Sequence, residues 1–172
     1  MGLRLTSAEF STASKLRIRA PLLTRDTWCP KCDQVLDRGA VHACSCKGGG
    51  DAVVRYSSLR DEVYYRALSA GLEAERETPG LLADDPRRRP GNVFLPAWHG
   101  GSAALDFAVT NPLQSAVRQE AAASVLAAAV SYEAVKLADR NTAERCATHG
   151  LRLVPIVVEI FLGCGALRKT SV

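Results

Sequence analysis

Residues 92–98 and 103–110 are two short apolar runs flanking Gly100-Gly101, and they constrain this chain more than any other segment. The first run is Asn92-Val93-Phe94-Leu95-Pro96-Ala97-Trp98; the second holds Ala103-Ala104-Leu105-Asp106-Phe107-Ala108-Val109-Thr110. Apolar and β-branched runs joined by a glycine pair predict a β-hairpin. Such a hairpin brings Asn92 and Asp106 close together on neighbouring strands. Asp106 is the only charged residue between His99 and Gln114. A lone carboxylate among apolar neighbours is costly to bury unless something binds it.

The rest of the chain supplies elements to pack around that hairpin. Its 172 residues suffice for one domain that buries roughly two-thirds of its unfolded surface. With 47% hydrophobic and 23% charged residues the composition is that of a globular protein. No apolar run reaches the ~20 residues that span a bilayer, and the N-terminus has no signal-like core, so an intracellular chain without a membrane partner is expected. The formal net charge of +4 permits a polyanionic partner without requiring one.

Lys15-Leu16-Arg17-Ile18-Arg19 alternates basic and apolar side chains and reads as a strand within a lead-in of residues 1–28. A helix of about fifteen residues is expected after Ser57 or Ser58, with Leu59, Val63, Ala67 and Ala70 on its apolar stripe and Gly71 at its end. Residues 72–78 suit a polar edge strand, and residues 79–91 a loop rich in Pro, Asp and Arg. Beyond Pro112, the alanine-dense residues 114–140 read as one long helix. After Gly150, residues 151–161 read as a buried strand. The expected class is therefore α+β: a mixed sheet in the order helix, strand, strand, strand, helix, strand, over residues 51–161, with a tail at 162–172.

The cysteines point to metal. Four of the six lie between positions 29 and 46. The spacing Cys29-x2-Cys32-x9-His42-x3-Cys46 offers three thiolates and an imidazole, which close a tetrahedral structural Zn²⁺ site over residues 29–50. Pro30 favours the tight turn that aims both sulfurs of the first pair at one ion. Cys44 is an alternative to Cys46 as the fourth ligand. Reduced thiols without metal are the other reading.

Glu62, Asp106 and Lys136 are the charged side chains that these elements could gather around a hard cation and a phosphodiester. Each also has a plainer reading: Glu62 as a helix-dipole acid, Asp106 as a strand-end acid bonded to backbone, Lys136 as a solvated lysine. Lys47 and the run Arg87-Arg88-Arg89 are candidate phosphate contacts. His99 and His149 have no partner at a recognisable spacing.

Taken in order, these motifs resemble the restriction-like endonuclease, of the PD-(D/E)XK superfamily, of reverse-transcriptase-bearing non-LTR-type retroelements. The resemblance runs from Cys29 through Leu36-Asp37-Arg38-Gly39 to Cys46. It continues through Ser58-Leu59-Arg60-Asp61-Glu62, the hairpin, Tyr132-Glu133-Ala134-Val135-Lys136 and Pro155-Ile156-Val157-Val158-Glu159. It implies a Mg²⁺-dependent nuclease that nicks DNA, within a polyprotein that carries a reverse transcriptase and works in the nucleus of a eukaryotic host. By position, the first metal-binding acid falls on Asn92, the second on Asp106, and the lysine on Lys136, since Ala108 stands two residues after the acid. Asn92 removes a full negative charge from the implied site, and the tail lacks the Trp-containing glycine motif of such proteins. A zinc-dependent nucleic-acid-binding module without catalysis is the alternative.

Overall fold

The structure, a computed structural model, describes residues 4–160 and the two strand residues 163 and 164. The remaining tail, and the last residue of the strand expected over 151–161, lie outside the described residues.

The lead-in is a helix, not a strand. Helix α1 spans Ser7–Arg17 and opens with a capping box: Glu9 N–H donates to Thr6 Oγ1 at 3.3 Å, and Thr6 N–H donates to Glu9 Oε2 at 2.7 Å. Those two bonds satisfy donors that would otherwise be orphaned in the first turn. Lys15 and Arg17, whose alternation suggested a strand, instead sit in the last turn, where positive charge complements the helix dipole.

The cysteine-rich region is a hairpin of β1 (Thr27–Trp28) and β2 (Val35–Leu36) followed by the short helix α2 (Val41–Ser45). Asp37 caps α2 by accepting from Val41 N–H at 3.0 Å and His42 N–H at 2.7 Å. Helix α3 then runs Asp51–Ser69. It starts well before the expected Ser57 or Ser58, because Gly50, at φ 76°, lets the chain enter the helix at once and Asp51 places an acid on its first turn. It ends where expected, at Gly71 with φ 78°.

Five strands form one mixed sheet in the order β3 (Glu75–Arg76), β4 (Val93–Trp98), β5 (Gly101–Thr110), β6 (Leu151–Glu159), β7 (Gly163–Cys164). The hairpin is β4–β5. Its turn residues are His99 and Gly100, at φ 48° and 81°, so the turn falls one residue earlier than the glycine pair suggested. The register shifts between Leu95 and Trp98, around Pro96, which has no N–H to give the ladder.

Strands β5 and β6 pair in parallel, whereas β3–β4, β4–β5 and β6–β7 pair antiparallel. The parallel step needs a crossover, and the alanine-rich segment supplies it in pieces rather than as the single helix of the sequence reading. These are α4 (Arg118–Ala123), α5 (Ala127–Ala138), a 3₁₀ turn (Asp139–Asn141) and α6 (Thr142–Thr148), which the sequence reading lacked. Leu126, Arg140 and Asn141 take left-handed φ of 63°, 47° and 55° at the breaks. Alanine's helix propensity is a weak prior against the need to bring the chain back to the start of β6.

The sheet is the middle of three layers. Val93, Leu95, Leu105 and the fully buried Phe107 face Ala67 of α3. Ala104, Leu151, Leu153 and Cys146 form a second cluster with Leu82, and Ala108 and Val157 pack on Ala129 of α5. Helix α5 has no side-chain cap of its own. Its N-terminal turn is held from β6, where the buried Glu159 accepts from Ala129 N–H at 2.9 Å. An anion there also opposes the helix dipole. Glu159→Ala should therefore lower stability in urea unfolding by about 2–3 kcal/mol, and Glu159→Gln, which keeps the acceptor, by about half that or less. Equal losses in the two variants would remove the capping role.

Candidate functional site

Two groups of side chains carry chemistry, one in the knuckle and one on the hairpin. In the knuckle, the turn after β1 and the helix α2 converge Cys29, Cys32, His42 and Cys46, with all four ligand atoms within 4.8 Å of one another. Cys29 Sγ lies 3.8 Å from Cys46 Sγ, and Cys46 Sγ 3.7 Å from Cys32 Sγ. Zn–S bonds of about 2.3 Å in a tetrahedron set sulfurs about 3.8 Å apart, so the edges fit zinc. Cys32 Sγ to His42 Nε2 is 3.2 Å, shorter as the shorter Zn–N bond requires. Among the described residues no other group of three or more such ligands converges in this way. This cluster could hold a metal ion, and its soft donors and closed geometry suit a structural zinc.

The choice between Cys44 and Cys46 is made by α2. Cys46 is buried within the cluster, whereas Cys44 lies outside it and its carbonyl accepts from Arg55 Nη2 at 2.7 Å. The Lys31 backbone N–H beside its sulfur brings the Cys29 thiol down to about 6, a thiolate at neutral pH. Burial pushes the Cys32 and Cys44 thiols up. Gly48 is required here: a Cβ on it would stand 2.1 Å from the Lys31 carbonyl oxygen, inside the loop that carries the first cysteine pair.

On the hairpin, Asp106 points toward α5, where Lys136 Nζ meets its Oδ2 at 2.7 Å. Both side chains are mostly buried, and they line a cavity of about 320 Å³ together with Arg88, Arg89, Asp139 and Thr142. Burial pushes the Asp106 carboxyl up; the Lys136 ammonium opposes that, and the acids Asp139 and Glu77 add to it. Asn92 stands at the start of β4, and its Oδ1 accepts from the Phe107 N–H at 2.8 Å. It thereby bonds to the backbone directly after Asp106. Gly91 is the close-packed residue before it, since a Cβ there would stand 2.8 Å from the Leu105 carbonyl oxygen.

The remaining candidates are dispersed. Glu62 is exposed on α3, pairs with Arg66 at 2.8 Å, and does not line the cavity. Arg88 is turned inward, binding the Thr142 hydroxyl and lying 3.3 Å from Asp139 Oδ2, so it pins the 79–91 loop to the crossover. Arg89 is half exposed at the cavity rim, 3.8 Å from Glu77, while Arg87 and Lys47 are exposed. Sequence reasoning missed Asp139, Thr142 and Glu77. Glu77 binds Arg60 at 3.2 Å and the Tyr56 phenol, which burial above all pushes up to about 12. Nothing in the spacing marked them: Asp139 and Thr142 reach the cavity through the crossover, and Glu77, just after β3, reaches its rim through Arg89.

Comparison of the chain with family models, with curated proteins and with solved structures yields no match.

The two geometries separate Cys46 from Cys44 experimentally. Cys46→Ser should lose the metal in a chelator-dye assay, and Cys44→Ser should keep one equivalent; loss of metal in both would place Cys44 in the site. Proton uptake by the thiolates opposes metal binding, so the apparent zinc affinity should fall steadily as the solution is acidified.

Proposed function

We propose that this chain is a zinc-stabilised DNA-binding domain of restriction-endonuclease-like ancestry, of the type borne by reverse-transcriptase-bearing retroelements, with strand cleavage severely impaired. The observation that carries this reading is the meeting of Asp106 with Lys136 in a cationic cavity beside Asn92. An acid on a strand next to a lysine from the following helix is the arrangement the family resemblance implied. The element order from α3 to β6 and the Cys₃His cluster upstream support it further.

The donor set argues for binding over catalysis. A hard cation such as Mg²⁺ needs several anionic oxygens. The cavity offers Asp106, already engaged by Lys136, and Asp139, engaged by Arg88. Asn92 brings a neutral carbonyl whose oxygen already accepts a backbone N–H. Three cations against two carboxylates leave the lining positive, which suits a phosphate of a DNA or RNA/DNA duplex. These residues do not fit a working Mg²⁺ centre, so no catalytic step is assigned to one. The zinc would hold the knuckle folded, and a nuclear site of action follows only from the retroelement reading.

A nicking assay on supercoiled DNA with Mg²⁺ or Mn²⁺ tests this. Wild type should bind duplex DNA in a salt-dependent way and nick it barely or not at all. Asn92→Asp should raise nicking roughly tenfold or more, about 1.4 kcal/mol or more of barrier, because it restores a carboxylate without losing the bond to Phe107 N–H. Asp106→Ala in that background should abolish the gain. Nicking that survives Asp106→Ala would sink the site, and wild type that does not bind DNA would sink the function.

A further inference from the structure

The cavity on the hairpin has a second character that its charges do not explain. Part of its lining is ionic, with Asp106 against Lys136 and Arg88 against Asp139. The α5 side adds Tyr132 and Val135, with Pro90 from the loop before β4, and the first two are 43% and 59% exposed. Neither Tyr132 nor Val135 belongs to the apolar clusters that hold the sheet between its helices, among the described residues. The Tyr132 phenol also has no hydrogen-bond partner among them. A tyrosine that neither packs in the core nor bonds through its hydroxyl has its ring face to offer.

That ring is placed by its neighbour. Tyr132 and Lys136 lie four residues apart on α5 and so share a face of the helix. Lys136 Nζ stands over the ring, 6.0 Å from its centroid, and the same ammonium meets Asp106 Oδ2 at 2.7 Å. The aromatic surface and the ion pair are thus within the reach of one nucleotide, whose phosphate and base are separated only by a sugar. In an uninterrupted duplex both faces of every inner base are covered by neighbouring pairs. An unpaired base can instead be splayed out onto an aromatic side chain, and every base has a face to stack.

We infer that Tyr132 is a stacking platform for an unpaired nucleobase, so that the site grips a DNA strand best where a nucleotide is unpaired beside Asp106–Lys136. This rests on the DNA-binding reading above and adds to it the state of the strand that is bound. Val135 and Pro90, in the same lining, supply apolar contact for the sugar.

Two short duplexes of one sequence test it, one fully paired and one with a single unpaired nucleotide at its centre, compared at equal salt. Wild type should bind the second roughly tenfold more tightly, within the range found for one base stacked on an aromatic ring. Tyr132→Ala should abolish that preference and leave affinity for the paired duplex within about twofold, while Tyr132→Phe, which keeps the ring, should retain it. Zinc content and circular dichroism show that each variant is folded. Photocrosslinking from 5-iodouracil as the unpaired base should mark Tyr132. Equal affinity of wild type for the two duplexes, or a preference that survives Tyr132→Ala, overturns the platform and leaves the DNA-binding reading intact. Loss of the preference in Tyr132→Phe assigns the contact to the hydroxyl and overturns stacking. Wild type that binds neither duplex overturns both readings.

Discussion

The parallel pairing of β5 with β6 is the constraint on which the other arrangements depend. Antiparallel neighbours such as β4 and β5 can be joined by a two-residue turn, but a parallel neighbour obliges the chain to travel back the length of the strand. That return path is residues 111–150, and it lays α5 and α6 across one face of the sheet while α3 covers the other. Lys136 reaches Asp106 only because α5 is part of this return. Glu159, on the strand the crossover leads to, then holds the N-terminal turn of the same helix.

The Asp106–Lys136 pair shows how one contact can have opposite implications for stability and function. Desolvating two charges costs several kcal/mol, which their attraction in a low-dielectric site offsets only partly, so such a pair is a poor way to stabilise a fold. The pair lines a cavity together with Arg88, Arg89 and Asp139, so both of its charges stay partly open to solvent. The neighbouring amide sets the charge of the site. With a carboxylate at position 92, two acids would compete for Lys136 and a divalent cation would relieve their repulsion. With Asn92, the charges of Asp106 and Lys136 already balance, while Arg88 and Arg89 are set against Asp139 and Glu77.

Much was legible because some chemistry is local. The Cys29, Cys32, His42, Cys46 spacing contained the metal cluster, and the structure adds the choice of Cys46 over Cys44, which turns on how α2 faces each thiol. The hairpin, the edge strand at 75–76, the end of α3 at Gly71 and the final strand followed from apolar runs and glycine positions. The lead-in misled, because a basic–apolar alternation fits a last helical turn as well as a strand, and the capping box at Thr6 and Glu9 decided between them. The alanine-rich stretch misled because propensity carries no information about where a crossover must bend, at Leu126 and Arg140.

By itself, then, the sequence determined the candidate ligands of the knuckle, with Cys44 and Cys46 as alternatives, together with the strands of the hairpin and the alternation of helix and strand. These depend on spacing and on side chains within a few residues of one another. Tertiary structure alone decided that Asp106 meets Lys136 thirty residues away, that Glu62 turns outward to Arg66, and that Arg88 is spent on the crossover. The reason is geometric: electrostatic partners are chosen by which faces the parallel crossover brings together, and no local pattern encodes that choice.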